Sequence, residues 1–254
     1  MSTKRTQAVV LRVADLGESD KIVTFYSLQS GKITGIGKGA KKSRKRFSNK
    51  LEIFSLLDVY YDDRSRSGLV RIAEAELLCP FISLREHYDR YVGGVLACEL
   101  VYYWSRDFDA DRNIYNLLVW ALQKIDGGKS PRLVHIFFQV KLYAFLGYRP
   151  DLSGCLKCGM AEQAGMPYMF HHSRHGLLCR SCSPPAISRG TSTLSMNTIK
   201  LLQHAQDLPM EKLDRLRFSE ASIHEALMLF KTYGQYLLQR EIKAWDFLEK
   251  SAEA

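Results

Sequence analysis

The sequence has no apolar run long enough to cross a membrane. A helical span needs about 20 consecutive apolar residues, whereas the longest candidate, YVGGVLACELVYYW at 91–104, is shorter and contains Glu99. The N-terminal stretch MSTKRTQAVVLRV lacks the apolar core and the small-residue cleavage site of a signal peptide. These absences predict a cytoplasmic protein without membrane contact. Six cysteines in that reducing compartment favour metal ligands or buried apolar residues over disulfides.

The motifs that mark common enzyme classes are also missing. The stretch GIGKGAKKS at 35–43 does not meet the G-x-x-x-x-G-K-[ST] register of a phosphate-binding loop. In DFDADRN at 107–113, Arg112 stands where an EF-hand calcium loop needs Gly, and Leu118 stands where it needs Glu. No nucleophile elbow, zinc-protease motif or carboxylate cluster occurs. We therefore expect no enzymatic activity and no small-molecule substrate.

Acidic residues are absent from GKGAKKSRKRFSNK at 37–50, which holds seven cations. The seven are Lys38, Lys41, Lys42, Arg44, Lys45, Arg46 and Lys50. Residues 1–50 contain 12 Lys and Arg against 3 acids, whereas the other 204 residues contain 24 of each sign, so the net charge of +9 belongs to the first fifth of the chain. Such asymmetry indicates a surface for a polyanion, with nucleic acid as the leading candidate.

The first eighty residues have the pattern of β-strands. Five stretches rich in Val, Ile, Leu and aromatics, parts of which alternate with a period of two, lie at 8–13, 21–27, 32–37, 51–61 and 69–78. Turn signals separate them, and no helical pattern intervenes that could connect parallel strands. We predict a small antiparallel barrel of five strands. Since five-stranded barrels that bind nucleic acid are most often OB-folds, the analogy indicates an OB-fold.

The basic run lies between the third and fourth predicted strands. A loop in that place is held by a rigid scaffold and differs from a tail or a targeting signal. Its cations would contact the phosphates of a nucleic acid, and a merely solvated loop is the alternative. Phe25, Tyr26 and Phe47 could offer stacking surfaces for bases, although core packing is the more usual role for each of them.

After Pro80 the pattern becomes helical. The stretch SPRLVHIFFQVKLYAFLGYRP is bounded by Ser130 as an N-cap, Pro131 at the first helical position and Gly147 as a C-cap. Further helices are predicted at 81–105, 111–126, 194–206 and 219–249. The fold class is therefore α+β with several domains. These are the barrel (1–80), a helical domain in two parts (81–150 and 186–254), and a cysteine-rich element inserted between the parts (151–185).

The inserted element carries two cysteine pairs, CLKCG at 155–159 and CRSC at 179–182, with 20 residues between them. Four thiolates in two such pairs suit the tetrahedral, sulfur-rich coordination of a structural Zn²⁺ and leave no open position for catalysis. The predicted ligands are Cys155, Cys158, Cys179 and Cys182. Free thiols or a redox pair are the alternative. One of His171, His172 and His175 could also replace a cysteine ligand.

Three stretches of the chain together resemble the RecO family of bacterial recombination mediators. They are GESDKIVTFYSLQSGKITGIGKGAKKS at 17–43, LGYRPDLSGCLKCG at 146–159 and RHGLLCRSC at 174–182. The resemblance covers nearly the whole chain and follows the family's order of barrel, helices, zinc knuckles and further helices. One departure is the pair Arg174 and His175, where the family often has a Gly pair.

The resemblance implies an N-terminal OB-fold, a helical domain with a zinc-binding element and a non-catalytic role in DNA repair. The implied partners are single- and double-stranded DNA, RecR, and the acidic C-terminal tail of single-stranded DNA-binding protein. Such a protein anneals complementary strands and, with RecR, helps load RecA onto coated DNA. It would act in the cytoplasm, associated with the nucleoid. The cations of 38–50 align with the family's basic barrel loop, and we expect Arg12, Lys21 and Lys32 to neutralise further phosphates.

Two other functions are compatible with the same residues. A zinc-containing RNA-binding or transcription-associated OB-fold module would share the basic barrel and the cysteine pairs, but it would select RNA or a defined sequence. A nuclease would cleave DNA in the presence of Mg²⁺. Competition between single-stranded DNA and RNA separates the first from a repair mediator, and a cleavage assay separates the second.

Overall fold

A computed structural model describes residues 3–43, 45–62, 68–159, 168–183 and 190–250 of the chain. The N-terminal part is a closed five-stranded barrel, as predicted. Its strands are β1 (Lys4–Leu16), β2 (Asp20–Ser27), β3 (Gly31–Gly37), β4 (Leu56–Asp62) and β5 (Val70–Cys79), in the order β1-β2-β3-β5-β4 with β4 paired to β1.

One pair of neighbouring strands corrects the expectation of a wholly antiparallel barrel. β3 and β5 run parallel, whereas the other four pairs are antiparallel. A closed ring with an odd number of strands cannot alternate in direction all the way round, so one parallel pair is unavoidable. Gly35 lies at this seam, where an added Cβ would stand 2.8 Å from Val70 Cγ2 and 2.9 Å from Ile72 Cγ1. The glycine therefore permits the close approach of β3 to β5.

The core of the barrel follows the period-two alternation of its strands. In β3 every second residue is buried, from Gly31 to Gly37. The predicted fourth strand was too long at its start, because residues 51–55 form a bend and β4 begins only at Leu56. In that bend Leu51 and Phe54 are buried, and Phe54 has a φ of 72°. Their burial explains why the sequence pattern there looked like that of a strand.

The barrel is followed by helices α1 (Ser83–Glu86), α2 (Tyr88–Trp104) and α3 (Arg112–Asp126). The single helical segment predicted at 81–105 is divided at His87, whose backbone is extended. The predicted helix at 111–126 is confirmed, and the Asp111 side chain caps it by accepting from the N–H groups of Asn113 (2.7 Å) and Ile114 (3.3 Å).

The later helices are α4 (Pro131–Phe145), α5 (Met196–Asp207), α6 (Glu220–Leu238) and α7 (Ala244–Lys250). Pro131 begins α4 as predicted, and Gly147 follows its end with a φ of 80°. The segment predicted as helical at 219–249 is divided, because Gln239 adopts a left-handed conformation after α6. None of the described helices combines the length and apolar character that a membrane span requires.

The cysteine-rich region forms a small sheet that the sequence pattern did not predict. Its strands are β6 (Asp151–Cys155), β7 (Tyr168–His171), β8 (Gly176–Leu178) and β9 (Thr191–Leu194), in the order β6-β8-β7-β9. β6 and β8 are parallel, whereas β7 is antiparallel to both of its neighbours. Within the same unit, Gln203 of α5 donates from Nε2 to the Leu152 carbonyl at 2.7 Å.

Contacts divide the chain into two compact units. Residues up to Pro131 and those from Ala244 onward form the first, and Arg132–Lys243 form the second. In the first unit, the Ala244 N–H donates to Glu99 Oε2 at 3.2 Å, which holds α7 against α2. The predicted domain boundaries follow the type of secondary structure instead, and they stay a prediction.

Candidate metal centre and nucleic-acid interface

The four predicted cysteine ligands come together at one point of the second unit. The sulfur atoms of Cys155, Cys158, Cys179 and Cys182 all lie within 4.8 Å of one another. Cys158 Sγ and Cys179 Sγ are 3.9 Å apart. A tetrahedral zinc site with Zn–S bonds of about 2.3 Å has S···S edges of about 3.8 Å. The donor set and its spacing therefore fit one tetrahedral Zn²⁺.

The sheet brings the two cysteine pairs together. Cys155 ends β6 and Cys179 directly follows β8, and these two strands are parallel neighbours. The Leu156 N–H donates to the Leu177 carbonyl at 2.9 Å, which joins the strands at the start of the first knuckle. Both cysteine pairs therefore begin at the same end of the two parallel strands.

Each knuckle is closed by a backbone hydrogen bond. The Gly159 N–H donates to the Cys155 carbonyl at 2.8 Å, and Gly159 has a φ of 68°, which a glycine adopts without strain. The N–H groups of Cys182 and Ser183 donate to the Cys179 carbonyl at 3.0 and 2.9 Å. Both turns direct their cysteine side chains to a common point, which is the arrangement that tetrahedral coordination requires.

The thiols differ in acidity. Burial raises the pKa of Cys155, but the N–H groups of Cys179, Cys158 and Lys157 that point at its sulfur lower it, and the resulting pKa is about 6. Hydrogen bonding to Cys179, together with burial, raises the pKa of Cys182 to about 12. A metal ion at this site would have to displace the proton of Cys182, so metal binding releases protons and weakens in acid.

The three histidines between the knuckles bind other groups. His171 Nε2 lies 3.3 Å from Ser183 Oγ, His172 Nε2 lies 3.1 Å from Ser192 Oγ, and His175 Nδ1 lies 2.8 Å from the Tyr233 hydroxyl. Among the described residues, the metal-ligand cluster contains the four cysteines and no histidine. The alternative of a histidine ligand is therefore not supported.

His175 also explains the departure from the glycine pair. It has a φ of 55°, in the left-handed region that favours glycine. The His175 side chain is hydrogen-bonded to the Tyr233 hydroxyl, which in turn donates to the Tyr148 carbonyl at 3.1 Å. This contact stabilises His175 in a conformation that glycine adopts without a side-chain contact. The turn geometry is thus the one that a glycine pair adopts freely, kept here by a side-chain contact.

His172 should make the stability of the second unit depend on pH. Its side chain is 2% exposed, and burial, with a smaller effect of His171, lowers its pKa to about 4. The folded pKa lies below the unfolded value of about 6.5, so the unfolded chain binds more protons between these values. We expect the stabilising contribution of neutral His172 to be fully present above pH 6.5. As the pH drops toward 4, the free energy of unfolding should fall by up to about 3 kcal/mol.

The matched variant for this prediction is His172→Gln, which keeps a polar side chain but does not titrate. Chemical denaturation of both proteins at several pH values between 4 and 7 measures the difference, and any acid loss of metal cancels in the comparison. Equal pH dependence of wild type and variant would contradict the assignment to His172.

The basic loop, defined as residues 38–50, connects β3 to the bend before β4 and is fastened to the barrel by apolar side chains. Ala40, Phe47 and Leu51, the residue that directly follows the loop, belong to the buried core of the barrel, and each is at most 7% exposed. Arg44 lies outside the described residues. Lys38, Lys41, Lys42, Lys45 and Arg46 are exposed, and Lys50 is half-buried. The loop therefore has an apolar inner side and a cationic outer side.

Polar contacts fix the backbone of the basic loop. The Gly39 N–H donates to Asp20 Oδ1 at 2.8 Å, and this bond, with a second one from Ser19, holds the pKa of Asp20 below its usual value. The Lys41 N–H donates to the Ser19 carbonyl at 2.9 Å. Near its other end, Ser43 Oγ accepts from the N–H groups of Arg46 (3.1 Å) and Phe47 (3.2 Å). The loop is thus an ordered part of the barrel surface, as its place between two strands predicted.

The cations of the basic loop differ in what they contact. Lys41 pairs with Asp15 at 2.8 Å, whereas Arg46 donates to the Lys38 carbonyl at 3.2 Å and Lys50 donates to the Lys45 carbonyl at 3.2 Å. Within the part of the chain that the structure describes, no ion pair involves Lys38, Lys42, Lys45 or Arg46. These four charges are the ones most available to an anionic ligand.

The additional cations expected to neutralise phosphates have internal partners instead. Lys21 pairs with Glu52 at 2.7 Å. Arg12 lies over the Tyr102 ring, with its guanidinium carbon 3.7 Å from the ring centroid. The candidate stacking aromatics of the barrel are Phe25, Tyr26 and Phe47, and all three are buried. They pack in the interior, and none is placed to stack on a base.

Lys32 has a structural role that sequence reasoning missed. Its ammonium group donates to the carbonyls of Tyr102 (3.1 Å) and Ser105 (2.8 Å), which lie at the C-terminal end of α2, and it is 3.3 Å from Asp107. Cations are favourable at that end of a helix. The partners are about 70 positions away in the chain, so no local pattern reveals them.

We expect Lys32→Met to lower the free energy of unfolding by about 2 kcal/mol, because it removes charged hydrogen bonds to two partly buried carbonyls. Chemical denaturation measures the loss. Lys38→Met, which removes an exposed Lys from the same barrel, is the matched control and should change stability little. A stable Lys32→Met protein with weakened DNA binding would contradict the structural role and favour phosphate contact.

Family models and individual relatives match this chain over nearly its whole length. Residues 1–81 match the family model described as Recombination protein O N terminal, and residues 85–246 match that of Recombination protein O C terminal. The chain is 30% identical over 249 residues to the DNA repair protein RecO of Syntrophus aciditrophicus, covering 98% of this chain and 96% of that protein. It is 29% identical over 252 residues to the DNA repair protein RecO of Syntrophobacter fumaroxidans, covering 99% of both.

Proposed function

Because the chain belongs to the RecO family of DNA repair proteins, we propose that it is a non-catalytic recombination mediator that binds single- and double-stranded DNA and anneals complementary strands. The observation that carries this proposal is the basic loop, whose backbone is held by the barrel and whose outer side has four cations, Lys38, Lys42, Lys45 and Arg46, that form no ion pair with another described residue. Its sequence-independent contacts with phosphates suit a protein that must act on any damaged sequence.

Annealing follows from the physics of two polyanions. Two DNA strands repel each other until cations lie between or beside their phosphates. A loop with four available cations neutralises phosphates on both strands and lowers this repulsion. Because the apolar anchors already hold the loop, little conformational freedom of its backbone is lost when DNA binds.

The partners of the proposed reaction are RecR, RecA and single-stranded DNA-binding protein. Together with RecR, the protein would help load RecA onto DNA coated by single-stranded DNA-binding protein, whose acidic C-terminal tail it would contact. The reaction belongs in the cytoplasm, at the nucleoid. Zn²⁺ at the four cysteines would be structural, because four protein ligands leave no open position for a substrate.

The experiment that tests this function is strand annealing on complementary oligonucleotides coated by single-stranded DNA-binding protein, with and without RecR. We expect annealing to proceed with this protein and to fail with the coating protein alone. A protein that binds RNA in preference to single-stranded DNA of equal length would instead be the RNA-binding module. Cleavage of DNA with Mg²⁺ would contradict the non-catalytic role.

A further inference from the structure

A second cationic site lies on the cysteine-rich sheet, beside the metal centre. A cleft of about 450 Å³ opens there and is lined by Lys157, His171, Arg174, Ser181, Cys182 and Ser183, with Leu178 on one wall. Its size falls within the range of about 300–1,000 Å³ that is usual for small-ligand sites. The cleft is formed wholly by residues of the second unit, whereas the basic loop belongs to the first.

The side chains of the cleft share the chemistry of anion binding. Lys157 and Arg174 bring positive charge and Ser181 brings a hydroxyl donor. The Ser183 hydroxyl already donates to Met169 Sδ at 3.0 Å. Among the described residues, no acidic side chain lines the cleft and no carboxylate forms an ion pair with Lys157 or Arg174. Two exposed cations thus face one concave surface, and no carboxylate of the described residues pairs with either of them.

The cations of this element balance the formal charge of the metal centre. A Zn²⁺ bound by four thiolates would carry a charge of −2, and among the described residues of the element Lys157, Arg174 and Arg180 against Asp151 give +2. The case for an external anion therefore rests on the placement of Lys157 and Arg174 on one cleft, and no excess of charge supports it.

The metal centre itself sets the shape of the cleft. Lys157 stands between the ligands Cys155 and Cys158, and Ser181 stands between Cys179 and Cys182. Both knuckles thus line the cleft, and a metal ion bound by the four cysteines would fix the distance between them. Arg174 and His171 come from the turn that follows β7 and from β7 itself.

We propose that this cleft binds a phosphate group held by Lys157, Arg174 and the hydroxyl of Ser181, and that the phosphate belongs to the backbone of a nucleic-acid strand. The inference rests on the proposed DNA-binding function and extends it, because it gives the zinc element direct contact with DNA. Free inorganic phosphate offers the same chemistry and is the other source to be separated.

The test uses the full-length zinc-loaded protein and the double variant Lys157→Gln with Arg174→Gln. Its control, Arg180→Gln with Lys200→Gln, removes the same charge from exposed positions of the same unit outside the cleft. Binding of a labelled 20-nucleotide oligo-dT is measured over a range of salt concentrations. Loss of two phosphate contacts should flatten the log–log salt dependence by about 1.4 in the cleft variant, while the control keeps the wild-type slope. Zinc content of each protein verifies that the knuckles are intact.

A calorimetric titration with sodium phosphate forms the second arm. If the salt dependence of DNA binding is flattened in the cleft variant and not in the control, the cleft binds a phosphate of the DNA strand. Saturable phosphate binding that the cleft variant loses, with an unchanged DNA slope, supports a phosphate site whose source is the free anion. If the cleft and control variants have equal slopes and the wild type shows no saturable phosphate binding, the cleft is not a phosphate site. If the wild type bound no DNA, the proposed function would fail, and the phosphate titration would still decide on the cleft.

Discussion

We expect Cys158→Ala to unfold the four-stranded sheet of the second unit, because a metal ion bound by the four cysteines would be a large stabilising contribution to this small sheet. Its strands are three to five residues long, and structural zinc in such motifs contributes about 10 kcal/mol or more to folding. Cys158 is exposed and its side chain packs against little, so the substitution removes a metal ligand without making a core cavity. Hydrogen exchange of the described parts of residues 151–194, together with metal analysis, measures the result.

The control for this prediction is Cys79→Ala, which changes a partly buried cysteine outside the cluster. It should keep one zinc per chain and normal exchange protection of the sheet. Chelation of the wild-type metal should reproduce the Cys158→Ala result. A purified protein that contains no zinc and still protects these amides from exchange would show that the cluster is not a metal site.

Changing the cations of the basic loop to Ala will weaken binding to every DNA sequence and reduce its dependence on salt. The set is Lys41, Lys42, Arg44, Lys45 and Arg46. Lys41 is paired with Asp15, so we count the other four. If each of them contacts one phosphate, the log–log slope for single strands becomes less steep by about 2.8, since each contact contributes about 0.7. The fold should survive, because the buried anchors Ala40, Phe47 and Leu51 are unchanged.

A matched variant removes five exposed lysines elsewhere and so produces the same change in net charge. Its substitutions to Ala are at Lys129, Lys200, Lys212, Lys243 and Lys250. Fluorescence anisotropy with oligo-dT at several salt concentrations compares the two variants. If both lose the same affinity, the effect is one of overall charge and the loop is not the binding surface. If neither loses affinity, DNA binds elsewhere.

Local sequence patterns predicted the barrel and the metal centre because their signals are short-range. Period-two alternation marks the strands, and the spacing of Cys155, Cys158, Cys179 and Cys182 marks the ligands. The small sheet was missed because strands such as Gly176–Leu178 are too short to show a period. The break before α2 was missed because neither Gly nor Pro marks it.

Charge placement predicted the basic loop but not the fate of each cation. Lys32 and Lys21 look the same in the sequence as Lys38, yet the fold gives the first two internal partners and leaves Lys38 exposed. Which cation remains available is decided by carbonyls and carboxylates from distant parts of the chain. Such pairings exist only once the tertiary structure has formed.

The two sides of the basic loop obey different rules of substitution. Phosphate recognition requires charge within reach, so Lys and Arg can exchange with each other or shift by a position along the outer side at little cost. Ala40 and Phe47 fill fixed places in the barrel interior, and the six residues between them must span a set distance. Insertion or deletion between the anchors would therefore alter the loop more than the loss of any single charge. Length, rather than cation identity, is the property of this segment that the barrel constrains.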